Sequence, residues 1–383
     1  MRCWMLPRHW WKEGKQRMAK KNLFIVNTPF HLLTAFILTK GKFWDDENYL
    51  ALIHPHSYEK WQESNVMNYI SSVDCGYKAV FPLINWMTRK NKEQSYREQV
   101  KEVKDTIGIL NIEDVFLASD IDVQNQLLVG TLGKREFYRY EDGLYSYYNE
   151  IRRRPMSHML FHKLKIHAME WMAGIKNGPY INTSTASDSK AGIGDYMYKP
   201  ELLKRYSPQT YEITQEIIRA AMLDLKRRDL FSKVMKKKSI LYLSQPLVEQ
   251  GKFTLAEEFG RLKSIVENLD ENTAIFYKPH PNDNANKIKF YQKELPQIEF
   301  FESVEPVELL FYCEENLRAV ISYQSTALML PDKFTDRKLT SVSLVNFYQK
   351  SSHPAYVEVM QGAGVKFPKN INEVISLIGE FSS

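Results

Sequence analysis

Cysteine is scarce in this chain, and long apolar runs are missing. The three cysteines, Cys3, Cys75 and Cys313, are too far apart for a CxxC metal or redox pair. So sparse and odd a set fits a reducing compartment without a disulfide framework. No apolar stretch nears the roughly 20 residues needed to cross a bilayer. No internal repeat or low-complexity segment is seen, and aromatics do not interleave with bases as nucleic-acid binding would ask. His54-Pro55-His56 has no third ligand in view, so no metal site is expected.

What is present is an ordinary globular composition, 44% hydrophobic and 26% charged over 383 residues, enough for two domains. The net charge is +6, with bases grouped at Arg152-Arg153-Arg154, Lys226-Arg227-Arg228 and Lys236-Lys237-Lys238. Such runs suit an anionic membrane surface or an acidic polymer, or simply form solvated helix faces.

Residues 1–17 carry Trp4, Trp10 and Trp11 among bases but no apolar signal-peptide centre. Lys12-Glu13-Gly14 can be encoded by a purine run resembling a ribosome-binding site ahead of Met18. Met18 is therefore expected to be the natural start, with 1–17 a non-native extension.

Beyond Lys21, strand-like runs alternate with helical patterns. Strands are predicted at 22–27, 49–54, 79–83, 114–118 and 137–140, and again at 239–243, 273–277, 298–301, 319–321 and 339–344. Between 146 and 238 the strand signal fades; 155–172 reads as a helix opened by Pro155, and 209–237 as one long basic helix. The expected layout is an N-terminal Rossmann-like domain over 18–180, a linker or helical insertion over 181–238, and a C-terminal Rossmann-like domain over 239–383. Two doubly wound α/β sheets can face each other across a cleft, the arrangement called GT-B.

Open α/β sheets bind ligands beyond the carboxyl ends of their strands, so the residues there are the candidates. Glu141-Asp142-Gly143 follows the 137–140 strand. Asp142 suits a general base toward a hydroxyl, or a capping carboxylate, and Gly143 permits a positive φ or close substrate approach. Lys278-Pro279-His280-Pro281 follows the 273–277 strand, and the prolines aim the imidazole. Ser322, Ser325 and Thr326 lie where a phosphate cradle or simple N-capping would serve. Ser244-Gln245 follows the first strand of the second half, and Glu308 is placed to reach a ribose hydroxyl. Asp120-Ile121-Asp122 reads as helix capping rather than a metal motif.

Asp142 in its EDG, His280 in its KPHP and Ser325-Thr326, in that order, resemble the three signature elements of bacterial GT-B sialyltransferases. The resemblance is to the lipooligosaccharide sialyltransferases (glycosyltransferase family 52) and the bacterial α-2,8-polysialyltransferases. It extends to Asn27-Thr28-Pro29-Phe30-His31 and Leu243-Ser244-Gln245-Pro246-Leu247, and runs from Asn22 to the C-terminus. It implies an inverting, metal-independent transferase that takes CMP-sialic acid as donor substrate, uses no cofactor, and extends a bacterial lipooligosaccharide or capsule glycan. Asp142 would then be the base and His280 the group assisting CMP departure. The phosphate would rest on Ser325, Thr326 and Ser322, with Ser244, Gln245, Lys278, Pro281 and Glu308 around the nucleotide. Thr28, His31, Glu141 and Gly143 would lie on the acceptor side. A cytoplasmic enzyme, peripheral at the inner face of the plasma membrane, is the matching expectation. Two alternatives stand: transfer of another CMP-activated acidic sugar such as Kdo, or a non-catalytic module binding acidic polysaccharide. The 146–238 region matches nothing in the resemblance.

Overall fold

The computed structural model describes residues 18–54, 58–86, 90–148, 156–175, 189–231, 234–347 and 354–379. The expectations for 1–17, Pro55-His56 and Arg152-Arg153-Arg154 lie outside them.

Two all-parallel sheets organise the chain. The first has seven strands: β1 (Lys21–Val26), β2 (Glu47–His54), β3 (Ala79–Ile84), β4 (Asp114–Leu117), β5 (Phe137–Tyr140), β6 (Gly192–Met197) and β7 (Thr210–Glu212), in the order β3-β2-β1-β4-β5-β6-β7. The second has five: β8 (Ser239–Leu243), β9 (Ala274–Lys278), β10 (Ile298–Phe300), β11 (Leu317–Ser322) and β12 (Thr340–Ser343), in the order β10-β9-β8-β11-β12. Leu23, Phe24, Ile25 and Val26 in β1, like Leu317, Ala319, Val320 and Ile321 in β11, are fully buried, as central parallel strands require. This is the expected GT-B architecture of two Rossmann-like α/β domains.

The segment read as linker is not one. Its β6 pairs with β5 and its β7 with β6, extending the first sheet to Glu212. Asp195 in β6 is buried, chelated by Arg139 at 2.7 Å and by Arg205 at 2.7 Å, which neutralises a charge that conceals the strand from hydropathy. The long basic helix expected over 209–237 is shorter, Gln215–Arg227, because Asp229 takes a left-handed φ of 53° and turns the chain. That helix packs on the helix Pro29–Gly41, where Gly41 leaves room for Ile217: a Cβ there would meet it at 2.6 Å.

Candidate active site

The strand-end loop after β5 reaches the junction of the two sheets. β5 delivers Glu141-Asp142-Gly143, and the following turn is closed by the Asp142 N–H donating to Ser146 Oγ at 2.7 Å. Gly143 has φ 94° and ψ −152°, a region essentially confined to glycine. A Cβ there would lie 3.0 Å from Thr326 Oγ1. The next residue, Leu144, donates its N–H to that same Thr326 Oγ1 at 3.1 Å. The EDG loop of one domain thus rests directly on the Ser-Thr loop of the other.

Asp142 is half-buried, and its Oδ1 lies 2.6 Å from Nε2 of His31. His31 reaches it from the start of the helix Pro29–Gly41, which Thr28 caps by accepting the His31 N–H at 3.2 Å. The ring is buried, and its Nδ1 has no hydrogen-bond partner among the described residues. Asp122, at the head of the neighbouring helix Val123–Thr131, accepts the N–H groups of Gln124 (2.7 Å) and Asn125 (3.4 Å). Burial raises its pKa, and the charge of Asp142 adds to this. Sequence reading had Asp122 as a cap, which it is; that it also sits within electrostatic reach of Asp142 was legible in no local pattern. Asp120, its partner in the DxD, is buried against Arg139 at 3.1 Å.

Glu141 points away from the cleft. It accepts from Tyr147 Oη (2.5 Å) and the Tyr198 N–H (2.9 Å), and burial raises its pKa to about 7. Its role is therefore to anchor the loop. Tyr147 and Tyr148 pack in the core, whereas Tyr145 is exposed.

In the second domain, β9 ends at Lys278 and the chain turns through His280. Asp283 accepts the His280 N–H at 2.8 Å, and the Asn282 N–H donates to His280 Nδ1 at 3.1 Å. With Nδ1 accepting, the ring hydrogen belongs on Nε2. Burial pushes the His280 pKa below its ordinary value, although the charge of Asp283 opposes this. The turn is fixed from beneath by Lys287, a buried ammonium 2.9 Å from Asp283, 3.3 Å from Glu258 and 3.4 Å from Glu249. Sequence reading missed this hub: Asp283 and Lys287 are four residues apart, but Glu249 and Glu258 come from elsewhere in the chain and carry no local signature.

The other donor-side candidates divide. Ser325 and Thr326 are partly exposed, Ser325 capping a short 3-10 turn, Thr326–Met329, rather than a long helix. A four-residue turn offers little dipole, so this loop works through individual groups. Pro281 is exposed and Gln245 partly so. Ser322 and Ser244 do not face the cleft: both are buried, Ser322 donating to the Leu243 carbonyl at 2.8 Å and Ser244 accepting from Tyr277 Oη at 2.7 Å. Strand-end serines of this kind hold neighbouring strands together, and their letters cannot be told from those of a phosphate loop. Lys278 donates to the Ser303 carbonyl, lies 5.3 Å from the Phe301 ring centre, and is lowered to about pKa 8 by burial. Glu308 is buried close by, raised to about 7 by desolvation and held down in part by Lys278. Among the described residues no group of three or more His, Cys, Asp or Glu side chains could hold a metal ion.

Two parallel sheets, with a carboxylate loop from one touching a hydroxyl loop from the other, define a protein of the GT-B class. A model of the family described as Alpha-2,8-polysialyltransferase (POLYST) matches residues 22–343, and the chain belongs to that family. It is accordingly a glycosyltransferase of the sialyltransferase type. A Listeria monocytogenes protein described as a UDP-N-acetylglucosamine 2-epimerase is similar in structure, with TM-score 0.51, 12% identity and coverage of 94% of this chain and 86% of that one. The UDP-GlcNAc 2-epimerase of Methanocaldococcus jannaschii, solved with UDP-GlcNAc and UDP, gives TM-score 0.50 at 14% identity, covering 94% and 92%. At these identities the likeness is one of fold. A search of curated proteins finds no significant match.

Proposed function

We propose that the chain transfers sialic acid from CMP-sialic acid to a hydroxyl of a bacterial surface glycan, with inversion at the anomeric carbon and without a metal ion. The observation that carries this reading is the contact between the two loops. Leu144 on Thr326 brings Asp142 beside the loop suited to a leaving phosphate.

In this reading the His31 Nε2–H donates to Asp142 Oδ1 and leaves Oδ2 to take the proton of the acceptor hydroxyl. The acceptor oxygen bonds to the anomeric carbon as the bond from that carbon to the phosphate oxygen breaks. CMP departs with its charge met by Thr326, Ser325 and the Nε2–H of His280. A neutral imidazole aimed in this way acts as a hydrogen-bond donor, because gaining a proton at Nδ1 would set two donors, that proton and the Asn282 N–H, against each other. Positioning and fixed dipoles supply most of the acceleration.

The test is CMP release by Asp142→Asn and His280→Ala, with CMP binding followed by thermal stabilisation. Turnover should fall at least about 100-fold in both while Asp142→Asn is still stabilised by CMP. Wild-type protein that binds acidic glycan but never releases CMP would replace this reading with the binding module.

A further inference from the structure

The helix Met156–Met172 meets two environments. Ile166 and Met169 are buried, Met169 within the apolar layer under the first sheet. Outward stand Leu160 (59% exposed), Phe161 (72%), Leu164 (61%) and Trp171 (80%), with Met172 at their edge. At helical spacing Leu160, Leu164 and Trp171 fall in one narrow stripe, which Phe161 and Met172 widen. Exposed large apolar side chains normally occur singly; five on one helix face mark a contact surface.

The borders of the stripe identify its occupant. Exposed Lys165 lies along one side, and exposed Lys163 and His167 along the other. The helix has a single acid, Glu170, which is buried and paired with His167 at 3.0 Å. Arg152-Arg153-Arg154 precede the helix in sequence. A second copy of this face would bring lysines against lysines with no exposed acid from either helix to neutralise them. An anionic bilayer answers both features: apolar side chains and Trp171 enter the headgroup boundary, and the lysine stems lie along it with their ammonium groups on lipid phosphates.

We infer that this face seats the protein in the plane of an anionic membrane surface. The apolar stripe supplies the insertion and the flanking lysines the preference for acidic lipid. This does not depend on the donor or the acceptor, so its failure would leave the proposed reaction standing.

Sedimentation of the full chain with phosphatidylcholine vesicles, with and without phosphatidylglycerol, tests it. Wild type should partition onto the anionic vesicles, and Leu164→Glu should lower the partition at least about tenfold with an unchanged melting temperature. Trp171→Phe should still sediment but lose the share of tryptophan quenching that brominated lipid causes at position 171. If Leu164→Glu sediments like wild type, or wild type does not sediment, the inference fails. It also fails if light scattering shows a dimer that Leu164→Glu dissociates while vesicles bind neither form. Leu164→Gln, with no added charge, replaces Leu164→Glu if the latter does not fold.

Discussion

Nε2 of His31 lies 2.6 Å from Oδ1 of Asp142, a contact across 111 residues of chain. It joins the helix Pro29–Gly41 to the loop after β5, and it gives the carboxylate one fixed oxygen. Replacing His31 by Ala should lower kcat by about 10- to 100-fold through lost orientation, with the KM for the donor little changed. Asp142→Asn should cost about 10²- to 10⁴-fold. Steady-state kinetics on both variants checks the order. Equal losses in kcat and donor affinity for His31→Ala would mean that the helix, and not the base, was disturbed.

The His280 tautomer has a kinetic signature. A neutral donor predicts activity that persists below the ordinary histidine pKa of about 6.5 and fades only in more acid solution. A protonated general acid would instead lose activity as pH rises through the same lowered pKa. Long-range nitrogen NMR of the ring reads the tautomer independently and should find the hydrogen on Nε2.

Gly143 occupies a backbone region that other residues enter at about 1–3 kcal/mol, and its missing Cβ is what lets Thr326 close on the loop. Gly143→Ala should therefore lower stability by that amount and weaken CMP-induced stabilisation, since the two loops can no longer meet. Denaturant unfolding with and without CMP measures both. Undiminished CMP stabilisation in the variant would contradict the coupling.

Glu308 reports on stability through pH. Its pKa is raised by burial to about 7, so the folded state holds a proton that the unfolded chain gives up near 4.5. The cost is absent below the unfolded value, grows as pH rises between the two, and is complete above about 7, at up to about 3 kcal/mol. Glu308→Gln should thus stabilise the protein at mildly alkaline pH and change little near pH 4.5, as urea unfolding at the two extremes would show. Glu141, raised to about 7 as well, loads the same window.

Lys287 is the support beneath the His280 turn. Lys287→Met strands the buried side chains of Glu258 and Asp283 without their cation, with Glu249 at their edge, and losing one partner of such a cluster costs about 3–5 kcal/mol. With Asp283 displaced, the hold on the His280 N–H goes too, so CMP affinity should fall alongside melting temperature.

Much of this was legible along the chain because parallel sheets announce themselves in short apolar runs ended by Gly, Pro and polar loops. β1, β5, β8, β9 and β11 read that way, and with them the loops bearing Asp142 and His280. β6 did not, since its buried Asp195 is made tolerable only by Arg139 and Arg205, outside any local window. The contact of His31 with Asp142 and the cluster around Lys287 are likewise products of topology. Ser322 and Ser244 show the opposite failure, correct letters at strand ends whose hydroxyls the backbone and Tyr277 had already claimed.

The most direct measurement is a transfer assay with CMP-sialic acid and a sialylated oligosaccharide in EDTA, the product followed by NMR. CMP release should be matched by a new glycosidic bond of inverted anomeric configuration, with the rate lowered about 10²- to 10⁴-fold in Asp142→Asn. Retained configuration, dependence on an added divalent ion, or turnover only with a UDP-sugar would contradict it.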